Sequence, residues 1–261
     1  MACPYFGELM NDQRLNGRVA AVTGASKGLG KAMALALGAA GASVALISRN
    51  LEQLNDVAEA LRRAGGEAQA FQADVSREEA VRKLEREVMK TFGEVHILIN
   101  NAGMNLRKPL VEFDLAEWYR VMDTNLTSVF LLCRSFVPQM KGRGFGRIIN
   151  IASIMSRVSL PGRSAYSASK AALLGLTRAL ALEVAPDGIT VNTISPGPFA
   201  TEMNTALIQN PELNQQFVSK VPIGRWGRVE EVGKLAVYLC SEDAGFVTGS
   251  DILIDGGWTA Q

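Results

Sequence analysis

The chain has 261 residues, 48% of them hydrophobic, a length within reach of one α/β domain that needs no disulfide or metal staple. Its 27 Lys and Arg balance 26 Asp and Glu and are spread along the chain, so no basic patch marks nucleic acid or an anionic membrane as a partner. Three scattered cysteines (Cys3, Cys133, Cys240) and one histidine (His96) fit a reducing compartment and argue against zinc or a histidine triad.

Residues 1–14 lack the apolar run of a signal peptide, and no window is apolar enough to span a bilayer. They read as an N-terminal extension to one domain over 15–261, with a cytoplasmic location expected. From there, apolar runs at 18–23, 43–47, 68–71, 95–100, 147–152, 190–195 and 251–254 alternate with helical patterns such as 30–40, 51–64, 77–92 and 165–185. Strands alternating with helices predict βαβ units, and near-continuous apolar strands predict a sheet buried on both faces. The expected fold is a single Rossmann-like doubly wound α/β domain. His96 lies inside the fourth run, VHILIN, which points to a structural histidine. The stretch 201–221 is polar and amide-rich, and reads as a movable lid.

The first run ends in Gly24-Ala25-Ser26-Lys27-Gly28-Leu29-Gly30, and a helix follows. Glycines there permit a tight turn and close backbone approach, placing a pyrophosphate at a helix N-terminus. The second run ends in Ser48-Arg49-Asn50. An enzyme using NAD usually carries an acid at this place, to accept from the ribose 2′-OH. Here Arg49 and Lys27 instead offer positive charge to a 2′-phosphate, each charge-assisted bond contributing roughly 1.5–3 kcal/mol. NADP(H) is therefore expected over NAD(H).

Tyr166 and Lys170 stand at i and i+4 of a helical pattern and share a face. Ser153 follows the apolar strand IINIA, at the carboxyl end where open α/β sheets bind ligands. A phenol is only about 0.1% ionised at neutral pH, and a nearby cation favours the phenolate. The expectation is a general acid/base, Tyr166, with its pKa drawn down by Lys170, and a hydroxyl, Ser153, donating to a substrate oxygen.

Taken together, these residues, the Asn100-Asn101-Ala102-Gly103 turn and Pro196-Gly197 with Thr201 resemble the short-chain dehydrogenase/reductase family from about Leu15 to the C-terminus. The resemblance implies a seven-stranded parallel sheet and hydride transfer between a nicotinamide and an alcohol or carbonyl carbon. It implies that Lys170 also holds the nicotinamide ribose, and that Asn125 supports a proton-relay water. Asp74 and Val75 would lie near the adenine, Asn101, Ala102 and Gly103 would line the cofactor site, and Pro196–Thr201 would contact the nicotinamide. It also implies a homotetramer, for which Gly175 and the Ala/Leu-rich run after Lys170 would suit a close helix interface.

Within the family, Ile223-Gly224-Arg225, Glu230/Glu231 and Asp255-Gly256-Gly257 resemble the branch holding 3-oxoacyl-carrier-protein reductases and sugar or sugar-acid dehydrogenases. Arg107 resembles an arginine of gluconate 5-dehydrogenase-like members and is a candidate anchor for a substrate carboxylate. The expected substrate is a small sugar, polyol or sugar acid. A 3-oxoacyl reductase is the alternative. It would want a basic surface for an acidic carrier protein, which Arg134, Lys141, Arg143 and Arg147 could supply. A dinucleotide sensor without turnover is the remote alternative.

Overall fold

The computed structural model describes residues 13–261. Seven strands, β1 (Val19–Thr23), β2 (Ser43–Ser48), β3 (Ala68–Gln72), β4 (Ile97–Asn100), β5 (Gly146–Ile151), β6 (Ile189–Pro196) and β7 (Asp251–Ile254), form one sheet in the order β3-β2-β1-β4-β5-β6-β7. Every neighbouring pair is parallel. This is the doubly wound fold expected from the alternation of apolar runs and helical patterns.

Side chains alternate along the strands, so each strand feeds two cores. Ala20 and Val22 of β1 face one core, Val19 and Ala21 the other. The first core is covered by α1 (Gly28–Ala39), α2 (Leu51–Arg63) and α9 (Val229–Cys240), through Met33, Leu37, Leu54, Leu61 and Val232. The second is covered by α3 (Glu78–Phe92), α5 (Ser128–Met140) and α6 (Ser164–Val184), through Leu84, Val88, Leu132, Phe136 and Leu173. Fully burying a side chain of this size contributes roughly 1.5–3 kcal/mol. The chain order reverses between β1 and β4, which opens a crevice at their carboxyl ends.

Three local features differ from the sequence reading or refine it. The fourth strand starts at Ile97, just after His96. The buried His96 ring accepts the Val19 N–H through Nδ1 at 3.1 Å, and burial pulls its pKa down, keeping it a neutral acceptor. The polar stretch 201–221 contains α7 (Thr205–Gln209) and α8 (Pro211–Val218). Asn210 caps α8 by accepting from the Leu213 N–H at 3.1 Å, Pro211 takes the first turn, and Phe217 stacks on Trp226 at 4.9 Å. Finally α4 (Leu115–Met122) runs into α5 through a π turn at Asp123–Thr127. Cys133 and Cys240 are buried thiols, and burial pushes Cys133 up to about 12. Most of the N-terminal extension, with Cys3, lies outside the described residues. No helix among the described residues is long and apolar enough to cross a membrane.

Candidate active site

A cavity of about 780 Å³ opens at the carboxyl ends of β1, β2, β4, β5 and β6. Its size falls within the roughly 300–1,000 Å³ usual for small-molecule and cofactor sites.

One end is built from main chain. Gly24, Ser26, Lys27, Gly28 and Leu29 line it. Gly24 and Gly28 are left-handed, with φ of 64° and 56°, which favours glycine. Gly30 does not line the cavity. A Cβ there would lie 2.2 Å from Gly24 O, so this glycine lets helix α1 start against the turn. Asn101 ties the turn to β4 by donating through Nδ2 to Thr23 O at 2.9 Å and Gly24 O at 3.3 Å. Thr23 Oγ1 accepts from the Asn101 and Ala102 amides at 3.0 and 3.1 Å.

Ser48, Arg49, Asn50, Asp74 and Val75 complete this end. Three of their side chains hold local structure. Asn50 caps α2 by accepting from Gln53 N at 3.0 Å, Ser48 Oγ accepts from Asn50 N at 3.1 Å, and Asp74 accepts from Ser76 N and Oγ. The side chains of Lys27 and Arg49, by contrast, have no hydrogen-bond or ion-pair partner among the described residues.

The other end is built from side chains. Ser153, Tyr166 and Lys170 line it with Ala102, Gly103, Pro196, Gly197 and Thr201. Ser153 Oγ accepts from Met155 N at 3.1 Å, and its hydroxyl acts on the Tyr166 phenol to lower its pKa. Lys170 is buried, donates from Nζ to Ile151 O, and sits 5.8 Å from the Tyr166 ring centroid. That carbonyl bond is 2.6 Å long. Burial lowers the Lys170 pKa to about 8.

The phenol departs from expectation. With protein groups alone, the Tyr166 pKa is raised, because removal from water disfavours the phenolate. The groups that oppose this are Ser153, Arg163 and Arg107, not Lys170, whose ammonium is directed to the Ile151 carbonyl.

Asn125 is fully buried behind this end, in the π turn, and does not line the cavity. It accepts from Met104 N at 2.7 Å and donates to Met104 O at 2.9 Å and Ser169 Oγ at 3.0 Å. A Cβ on Gly103 would lie 3.3 Å from Asn125 Oδ1 and 3.5 Å from Lys170 Nζ, so the two meet at this turn. Inserted π turns recur at functional sites.

Arg107 is exposed and outside the enclosed volume, although its charge reaches Tyr166. Sequence reasoning missed Arg163, whose charge also reaches Tyr166, and the lining residues Met104, Asn105, Thr124 and Glu202. For Arg163 a signal existed, its position three residues before the tyrosine on the same helix start.

Residues 24–259 match the family model described as Enoyl-(Acyl carrier protein) reductase. The chain is 38% identical to gluconate 5-dehydrogenase of Gluconobacter oxydans, covering 95% of this chain and 96% of that one. It is 41% identical to 3beta-hydroxysteroid dehydrogenase 1 of Eggerthella lenta, over 94% and 95%. The structure of a gluconate 5-dehydrogenase from Burkholderia cenocepacia, in complex with NADP and tartrate, is similar with a TM-score of 0.91 at 35% identity, over 96% and 98% of the two chains. The chain belongs to the short-chain dehydrogenase/reductase family and is an oxidoreductase acting on alcohol and carbonyl carbons.

Proposed function

We propose that the protein interconverts a secondary alcohol and a ketone on a sugar, polyol or sugar acid, with NADP(H) as cofactor. The observation that carries this reading is one cavity with a glycine turn at one end and Ser153, Tyr166 and Lys170 at the other. The residues suit a dinucleotide. Left-handed glycines open a helix N-terminus to a pyrophosphate, and the side chains of Lys27 and Arg49 have no hydrogen-bond or ion-pair partner among the described residues. Gly24–Gly30 would hold the pyrophosphate, Arg49 and Lys27 a 2′-phosphate, Asp74 and Val75 the adenine side, and Asn101–Gly103 and Pro196–Thr201 the nicotinamide side. When bound, the cofactor gives or takes a hydride at its nicotinamide.

The protein's own groups handle the proton. Burial keeps Tyr166 a neutral phenol, ready to donate to the oxygen that becomes the alcohol. Ser153 is placed to donate to the same oxygen and hold its developing charge. In the oxidising direction Tyr166 must become a phenolate, favoured by Ser153, Arg163 and Arg107 against burial, while Lys170, mostly charged below about 8, holds the ribose. Asn125, clamping Met104 beside Lys170, supports the relay that reprotonates the phenol.

The stretch 201–221 acts as a lid. Thr201, Glu202 and Asn204 line the cavity, and a Cβ on Gly28 would lie 3.7 Å from Glu202 Oε2. A carboxylate beside an anion-binding turn must withdraw when a pyrophosphate arrives. We also place the protein in the cytoplasm as a homotetramer, a reading supported by the open face of α6. Gly175 has nothing within 4 Å of an added Cβ, and Leu182 is 80% exposed.

Arg107 is the proposed anchor for a substrate carboxylate. The carrier-protein alternative loses its basic surface: Arg147 is buried, and Arg134, Lys141 and Arg143 pair with Glu78, Asp187 and Glu94. NADPH oxidation with a panel of keto sugars, keto-acid sugars, neutral ketones and a 3-oxoacyl thioester tests the reading. Fastest turnover is expected on a sugar or sugar-acid ketone. Fastest turnover on the thioester would refute it.

A further inference from the structure

Burial disfavours the charge of two arginines, and the protein treats them in opposite ways. Arg147 donates to the carbonyls of Ser241, Gly146 and Gly188 at 3.1, 2.8 and 3.4 Å, and stacks 4.1 Å over the Phe145 ring. Arg163 is half-buried, and its guanidinium has no hydrogen-bond, ion-pair or ring partner among the described residues. A cation withdrawn from water without acceptors is unfavourable unless an anion completes it.

Its position says where that anion comes from. Arg163 immediately precedes α6, three residues before Tyr166. The adjoining Gly162 lies against the 104–109 loop, a Cβ there being 3.6 Å from Lys108 N. This contact brings the loop carrying Arg107 alongside. Lys108 is paired with Glu117, but Arg107 has no hydrogen-bond or ion-pair partner among the described residues, and its charge opposes that of Arg163. Close by in sequence, the buried Asn105 Oδ1 and Ser164 Oγ also lack hydrogen-bond partners. Asn105 lines the cavity. Two guanidiniums unpaired among the described residues, both acting by charge on Tyr166, thus lie near unsatisfied polar atoms, away from the cations of the glycine turn.

We infer that Arg163, with Arg107 beside it, forms an anion subsite that takes the substrate's carboxylate and sets a preference for acidic over neutral substrates. The inference rests on the alcohol–ketone reading above and assigns its specificity to the residue that immediately precedes α6. A guanidinium grips a carboxylate through two parallel bonds, which an ammonium cannot reproduce.

Steady-state kinetics of Arg163→Met and Arg163→Lys on a keto-acid sugar and a neutral ketone, with tartrate as inhibitor, provide the test. Arg163→Met is expected to raise KM for the acid and the inhibition constant of tartrate by at least about tenfold, leaving KM for the neutral ketone and for NADPH within about twofold, while any change in kcat from the charge lost near Tyr166 falls on both substrates alike. Arg163→Lys should recover only part of the loss. Equal losses on acid and neutral substrates, or no loss on either, would overturn the inference. The two readings fail separately. A wild type that turns over only neutral ketones, yet is inhibited by tartrate through Arg163, refutes the sugar-acid substrate and the acidic preference but keeps an anion site at Arg163. A wild type and Arg163→Met equally good on the acid refute the subsite and keep the substrate.

Discussion

The two ends of the cavity are made of different material. At the glycine turn the shape is main chain: left-handed Gly24 and Gly28, a helix start packed through Gly30, and Asn101 bonded to the Thr23 and Gly24 carbonyls. At the other end the chemistry sits in side chains that burial holds away from their ordinary state. The Tyr166 phenol is pushed up, the Lys170 ammonium is brought down to about 8, and Arg163 is half-buried with no partner for its guanidinium among the described residues. Substitutions at the first end should therefore damage the fold and nucleotide binding together. Those at the second should damage turnover while the fold survives.

The largest effect is expected from Lys170→Met. Losing the cation proposed to hold the nicotinamide ribose should lower turnover by roughly a hundredfold, the loss that a misplaced reactant brings. The same residue carries a pH signature. Its folded pKa of about 8 lies below the ordinary 10.5, so between these values the unfolded chain binds more protons than the folded one. Wild-type stability should therefore gain as pH rises through that window, and Lys170→Met should lack the gain. Thermal melts of both proteins across the window check the sign.

Gly30→Ala probes the main-chain end. Its Cβ would meet Gly24 O at 2.2 Å, so the turn must shift. A stability loss of roughly 1–3 kcal/mol is expected, with weakened NADPH binding. Gly175→Ala is the control. Nothing lies within 4 Å of its Cβ, and at this mid-helix position the change to Ala should leave the folded subunit undamaged, or more stable by up to about 1 kcal/mol. Denaturant titrations of the two variants would erase the contrast if they moved alike.

How much of this was legible in the sequence follows the same division. The seven strands could be read because a sheet buried on both faces leaves nearly unbroken apolar runs. Tyr166 and Lys170 could be paired because i and i+4 share a helix face. The glycine turn could be read because its residue type follows from backbone geometry. What burial decides was hidden. Nothing in YxxxK tells that desolvation raises the phenol's pKa, or that Lys170 bonds a carbonyl instead. The π turn that buries Asn125 leaves no trace in MDTNLTSVF. Two caps were also legible. Asn50 and Asn210 stand before helical runs and accept from the third residue on, so the stretch read as a lid holds a helix start at Asn210.

Smaller effects sharpen the cofactor side. NADPH should be preferred over NADH by at least about tenfold in kcat/KM, and Arg49→Asp should narrow or reverse this, since a carboxylate repels a 2′-phosphate and accepts from a 2′-OH. A wild type preferring NADH would remove Arg49 from that role. The lid should give the mildest signal. Hydrogen exchange across 201–221 is expected to slow when NADPH and substrate are present. Equal exchange with and without them would leave the segment as fixed structure.

The central claim is that Tyr166 carries the proton at a site where the cofactor binds independently of it. Tyr166→Phe keeps the ring and removes only the hydroxyl. Turnover and NADPH affinity of this variant, measured on the same preparation, test the claim most directly. Turnover reduced at least about a hundredfold with NADPH affinity unchanged is the predicted result. A variant that keeps more than about a tenth of wild-type kcat would contradict it, because general acid/base catalysis would then have no need of this phenol.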